Sequence, residues 1–233
     1  MFYRLSLTSG RRTLEREFGR TFAYPSLYSP QPRIDGMEEA TLPVVLSEHP
    51  EHIGFSIWGL LPEGFSDDWD LFQGGVNTLN LGPGLLRARW IWESLLLRRC
   101  LILTDGFFAT FGHGGKLFPY LVYREDRQPF ALAGVYNRLD DGFVSCSFLL
   151  GPATPLLRRI HNLGPFMPRV LNRTDREAWL EPQGESSLRL LLESTRPPEL
   201  QAHPIARELF FRGITYRSML DPVYYEDLPA PRP

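Results

Sequence analysis

Few side chains in this sequence are of a type that does chemistry unaided. There are two cysteines, Cys100 and Cys146, five histidines and a single lysine, Lys116. A cysteine reacts as its thiolate, and both cysteines lie in apolar runs that disfavour that form. They read as reduced, buried thiols, which points to a cytoplasmic chain rather than a disulfide scaffold. His49 and His52 are three apart, but no cysteine or carboxylate set completes a metal site, so neither metal nor cofactor is expected. Gly112-His113-Gly114-Gly115-Lys116 has the look of a phosphate loop but lacks the following Ser or Thr and the helix, so a hairpin loop is expected. No serine nucleophile elbow is present. The basic residues are otherwise all arginine, whose guanidinium forks onto phosphate oxygens. Net charge is −2, however, and the pI is about 6.2, so nothing attracts nucleic acid to the whole surface. Phe65 and Trp69 stand in a polar stretch, where they can stack on unpaired bases or serve as lids on the core.

The elements that must position these groups follow from pattern. At 233 residues, 43% hydrophobic and 13% aromatic, the chain can bury a substantial core, and no linker divides it. Phe2 to Leu7 alternates as a strand, and a helix capped by Thr8 or Ser9 is expected over 11–18. Residues 23–41 read as a wrapped loop. Strands are expected over 42–46 and 53–60, and a polar loop over 63–75. Leu85 to Leu97 has the strongest helical spacing, and Arg87 falls on that helix. Cys100 to Leu103 is a buried strand. It turns at Asp105-Gly106 into an aromatic strand through Phe107, Phe108 and Phe111. Three further strands lie over 117–123, 129–136 and 143–150. Short helices follow over 155–161, from a Thr174 cap to Leu180, and over 186–193. Residues 196–233 are proline-rich and irregular. No run is long enough to cross a membrane, and no signal peptide precedes the first strand. The sum is an α+β domain over 1–233: a curved mixed sheet or open barrel with helices around it.

Several stretches together resemble one family. Arg99-Cys100-Leu101, a short spacer, then Asp105-Gly106-Phe107 is similar to the central motif of the SRAP family (SOS response-associated peptidase, the abasic-site processing proteins). So are Trp58-Gly59 with Pro62, the strand from Pro129 to Tyr136, the segment Phe148 to His161, and Met167-Pro168. The likeness runs in order over residues 1–172. It implies an SRAP-like fold and a setting of abasic-site processing and single-stranded DNA binding in the SOS response to DNA damage.

The resemblance also implies a loss. The family's second residue is a cysteine whose thiol and amine capture the aldehyde of an abasic site as a thiazolidine, and here that position is Phe2. The family's proton-shuttling Glu corresponds to Ala109, and a methyl group transfers no proton. His161 matches the family histidine, although a histidine at a helix end is also a common cap. Asn77 matches a family asparagine, or is a turn residue after Gly74-Gly75. Arg4 and Arg87 match phosphate-contacting arginines, and Arg87 also fits a solvated helix face. With Asn77, Phe65 and Trp69 they make the candidate DNA-binding set.

Three functions are compatible with this pattern. The first is a pseudoenzyme that keeps the scaffold and holds single-stranded or abasic DNA without the covalent bond. The second is an interaction module whose cleft is filled by Phe2, Leu79, Leu81 and Phe166. The third is a Schiff-base lyase using the α-amine of Met1, which is partly neutral near pH 7.

Overall fold

A computed structural model of the chain describes residues 2–210 and 216–229. In chain order the strands are β1 (Arg4–Leu7), β2 (Thr21–Phe22), β3 (Gln31–Asp35), β4 (Thr41–Leu46), β5 (His49–Trp58), β6 (Asn80–Leu81), β7 (Arg99–Thr104), β8 (Gly106–His113), β9 (Lys116–Arg124), β10 (Phe130–Arg138), β11 (Val144–Pro152), β12 (Phe166–Pro168), β13 (Val170–Leu171) and β14 (Leu200–Pro204). The helices are α1 (Arg11–Phe18), α2 (Trp69–Gly75), α3 (Arg89–Leu97), α4 (Pro155–Ile160), α5 (Arg173–Leu180) and α6 (Glu185–Ser194).

One sheet runs β14-β9-β8-β1-β3 and the other β12-β11-β10-β7-β4-β5-β2. In the second, β11 also pairs in parallel with β5, Ser145 opposite Ile57 and Cys146 opposite Trp58. That pairing closes β5-β4-β7-β10-β11 into a ring, so this part is more closed than an open barrel. The fold is a mixed α+β arrangement, as the sequence implies. Every residue of β7 is buried, which suits an unbroken apolar run at the centre of a sheet.

The sequence pattern fails at identifiable places. The expected loop over 23–41 contains β3, which pairs with β1 and completes a sheet edge. The expected loop over 63–75 ends in α2, whose cap Asp68 accepts from the Leu71 N–H at 2.8 Å. The single helix expected over 85–97 is two pieces. A 3₁₀ turn at Leu85–Arg87 gives way to extended backbone at Ala88 before α3 begins. Arg87 therefore lies on a short turn and not on a helix. The α5 cap is Asn172, which accepts from Asp175 N–H at 3.0 Å, rather than Thr174. Neither Thr8 nor Ser9 caps α1. Their N–H groups instead donate to Asp105, at 2.6 and 2.7 Å, and Gly10 takes the cap position. The C-terminal stretch is not wholly irregular, since β14 extends the first sheet along β9.

The expected hairpin loop at 112–116 is present. Gly114 and Gly115 have φ of +56° and +73°, the left-handed pair that a tight two-residue turn between β8 and β9 requires.

Candidate functional site

The segment Trp58 to Leu61 is a hub that fixes its neighbours. Gly59 has φ of +118°, and a Cβ there would lie 2.8 Å from Trp69 Nε1, so only glycine lets α2 pack this closely. Trp69 donates from Nε1 to the Trp58 carbonyl at 3.1 Å, and Trp58 donates from its own Nε1 to the Leu79 carbonyl at 2.8 Å. Thr78 donates to the Leu60 carbonyl at 2.6 Å, and Gln73 brackets Thr78 through both ends of its amide. These bonds hold residues 78–81 against β11, with Asn80 opposite Phe148.

So placed, Asn80 faces the start of the chain. Its Oδ1 accepts from the Phe2 N–H at 2.9 Å, and its Nδ2 donates to the Phe2 carbonyl at 2.8 Å. The Phe2 backbone is thereby paired as a strand would pair it, by one side chain. Phe2 is 2% exposed, with its ring centroid 4.7 Å from the His161 imidazole and 5.6 Å from Phe107 in an edge-on contact.

His161 follows α4, which begins with Pro155 behind a Thr154 cap, the arrangement that suits proline at a first turn. Its N–H donates to the Leu157 carbonyl, so its backbone does end the helix. The ring has a second task. Nδ1 lies 3.1 Å from the Thr110 carbonyl and 3.4 Å from the Thr110 N–H, and the shorter contact favours the tautomer protonated at Nδ1. Burial holds the imidazole pKa below its ordinary value, partly offset by the Thr110 contact. The next residue, Asn162, grips Gly112 at both its N–H and its carbonyl, each at 2.8 Å. Thus α4 is tied to the β8–β9 hairpin at two successive residues.

Ala109 is fully buried on that hairpin, on the same face of β8 as Phe107. Leu79 and Leu81 are fully buried as well. Phe166 is half-buried, opposite Pro152 between β11 and β12, and the ring that covers His161 is Phe2. Residue 2 is therefore enclosed by apolar side chains and two committed polar ones.

The structure brings Phe2 and His161 together beside the middle of β8, where Ala109 and Thr110 lie, and leaves other candidates elsewhere. Asn77 turns its Oδ1 to the Leu79 N–H at 3.3 Å, so the amide that meets Phe2 is Asn80. Arg4 pairs through Nε with the buried Asp35 at 2.8 Å. Trp69 is 7% exposed and no free stacking platform, because its ring is a wall of the Gly59 hub. Phe65 is half-buried with its ring edge-on to Phe72 at 5.2 Å. Arg87 is exposed, in a groove with Arg89, Trp92 and Arg189. Met1 lies outside the described residues. Sequence reasoning missed Asn80, whose only signal was a second asparagine three residues after Asn77.

Cys100 and Cys146 are fully buried, and burial raises the Cys100 thiol well above its ordinary pKa, so Cys100 presents no thiolate. Among the described residues no group of three His, Cys, Asp or Glu side chains could hold a metal ion. No described helix is long and apolar enough to cross a membrane.

No curated protein matches this chain. Solved structures do. A protein from Bacteroides thetaiotaomicron shares the fold with a TM-score of 0.83 at 21% identity, over 95% of this chain and all of that one. A protein from Bordetella bronchiseptica has a TM-score of 0.70 at 19% identity, over 88% and 99% of the two chains. A phage-related protein from the same organism has a TM-score of 0.60 at 16% identity, over 88% and 94%. At such identities these likenesses concern the fold. The model of the family described as SOS response associated peptidase (SRAP) matches residues 1–210, and with nine-tenths of its length in that match the chain belongs to the SRAP family.

Proposed function

We propose that this protein is a non-crosslinking member of its family, one that meets single-stranded DNA in the abasic-site and SOS setting without forming a covalent bond. The observation that carries the reading is Phe2. Its ring fills the space beside His161, and Asn80 holds both polar groups of its backbone. A phenyl ring has no nucleophile for a sugar aldehyde, and Ala109 offers no proton carrier. A cytoplasmic place for the chain is part of the same reading.

Retention of the scaffold supports DNA as the ligand, and Arg87 is the surviving exposed candidate for a phosphate. The commitment of Arg4 to Asp35 and of Trp69 to the core favours a second reading, an interaction module that no longer meets DNA.

Crosslinking to an abasic oligonucleotide tests the first claim. The wild type is expected to give no stable adduct, with or without borohydride. The double variant Phe2→Cys, Ala109→Glu regains one, because Asn80 and His161 still flank residue 2. A stable wild-type adduct sinks the proposal. Gel shifts with intact single strands separate the two readings. Binding that weakens steeply with salt supports DNA, and no binding at low salt leaves the module.

A further inference from the structure

Residues 216–229 cross the β14 edge of the first sheet and settle on the tip of the β8–β9 hairpin. His203 meets the Leu220 carbonyl at 2.8 Å, and the Val223 N–H donates to the Pro204 carbonyl at 3.0 Å. Beyond the edge, the Tyr225 ring packs edge-on against Phe118 with centroids 5.4 Å apart. The Arg207 guanidinium lies over both rings, 4.6 Å from Phe118 and 4.5 Å from Tyr225. Asp227 takes Lys116 at 2.5 Å and lies 3.7 Å from an Arg207 nitrogen that has no hydrogen-bond partner among the described residues.

The chemistry of that contact is specific. An anion sits between two cations, and an aromatic ring packs on another aromatic ring. A phosphate and an unpaired base would make the same contacts. Cross-strand partners share a face, so Phe118, opposite Phe111, stands on the same side as Tyr120, opposite Ala109. The place is therefore continuous with the hairpin face that carries Ala109 and Phe107. The strap itself is acidic, with Asp221, Glu226 and Asp227 against Arg217.

It is held by partly buried groups, the Tyr225 hydroxyl among them, which donates to the Ile205 carbonyl at 2.6 Å. No residue from 216 to 229 is fully buried, whereas the Phe118 beneath is fully buried. The Lys116–Asp227 pair is exposed, at 57% and 40%, so salt screens it.

We propose that residues 216–229 are an acidic, aromatic strap that occupies a nucleotide-sized site made by Lys116, Phe118 and Arg207, and that single-stranded DNA competes with it. The inference rests on the DNA reading above. A strap closed nine-tenths of the time lowers apparent affinity about tenfold, because only the open fraction binds.

The test is fluorescence anisotropy with a labelled oligothymidylate and the full chain. The double variant Tyr225→Ala, Asp227→Asn is expected to bind about tenfold tighter than wild type, and adding Lys116→Ala is expected to cancel the gain. Hydrogen exchange on wild type is an independent measurement, needed if the double variant misfolds. Amides over 216–229 are expected to lose protection when the oligonucleotide saturates the protein. Measurable wild-type binding with no gain in the variant and unchanged protection overturns the strap and leaves the DNA reading standing. No binding by any variant overturns both.

Discussion

Asn80 performs a task that a sheet partner normally performs, and it does so inside an apolar enclosure. Removing its amide leaves the Phe2 N–H and carbonyl buried without partners. Asn80→Ala is expected to cost about 2–5 kcal/mol by urea denaturation, because each orphaned buried group loses its full desolvation compensation. Asn77→Ala removes one turn bond to Leu79 and is expected to cost less than about 1 kcal/mol. Equal costs would mean that the Phe2 backbone does not depend on the Asn80 amide. His161 gives a pH dependence of definite sign. Burial lowers its pKa from the ordinary 6.5, so the unfolded chain takes up this proton before the native one does. Its contribution to stability is complete above the unfolded pKa and is lost as pH falls through it toward the lowered native value. Wild type is therefore expected to lose more stability than His161→Gln between about pH 7.5 and 5.5. His203, also lowered by burial, is present in both proteins and cancels in the comparison. Identical losses would place the His161 proton equilibrium in water.

Helix ends in this fold are joined by a buried cation. Arg99 is 1% exposed, and its guanidinium donates to the Leu95 and Leu96 carbonyls at the end of α3 and to the Trp179 and Glu181 carbonyls at the end of α5. Among the described residues no carboxylate pairs with it. Two carbonyl-rich helix C-termini supply the compensating negative potential instead. Burial lowers the Arg99 pKa, yet a guanidinium stays charged there. Arg99→Ala is expected to cost about 3–5 kcal/mol, since it strands four carbonyls and opens a cavity. Arg99→Lys is expected to recover less than half of that, because an ammonium has three donors on a point and cannot span two helices. Full recovery by lysine, read from denaturation midpoints, would show that charge alone suffices. The Arg-Cys-Leu run thus has a mechanical reason to exist in this chain, independent of any reaction.

One carboxylate ties together regions far apart in sequence. The Glu17 side chain on α1 is 3% exposed and accepts from Arg124 on β9 and from Arg173 and Arg176 on α5. Burial pushes its pKa up, but the three guanidinium groups outweigh it and leave the carboxyl below its ordinary 4.5. Its stabilising effect is present above that value and drains as pH falls through it. Glu17→Gln keeps the shape, removes the charge, and leaves buried Arg176 facing like charges. It is expected to cost about 3–5 kcal/mol at neutral pH and to flatten the acid limb of the stability profile. A cost under about 0.5 kcal/mol would class the cluster with ordinary surface pairs. The cluster also explains why α1, which has only Leu14 and Phe18 buried, stays docked against α5, since Arg176 stacks on Phe18 as well.

Much of this molecule follows from local pattern. The strands 100–103, 117–123 and 130–136, the glycine turn at 114–115 and the proline-led helix 155–160 are each dictated by residues close in sequence. The absence of a nucleophile at position 2 and of a carboxylate at position 109 is a property of residue type, and no folding changes it. Partners distant along the chain are a different matter. The choice between Asn77 and Asn80 depends on the Trp58, Gln73 and Thr78 bonds that rotate residues 78–81 against β11. Arg4 and Trp69 resemble ligand-facing groups until Asp35 and the Trp58 carbonyl are brought to them. The break of one predicted helix at Ala88 and the pairing of β11 with β5 arise from packing that periodicity does not encode. Residue chemistry is carried by each position alone, whereas burial and pairing belong to contacts between positions more than 150 residues apart, as for Glu17 and Arg176.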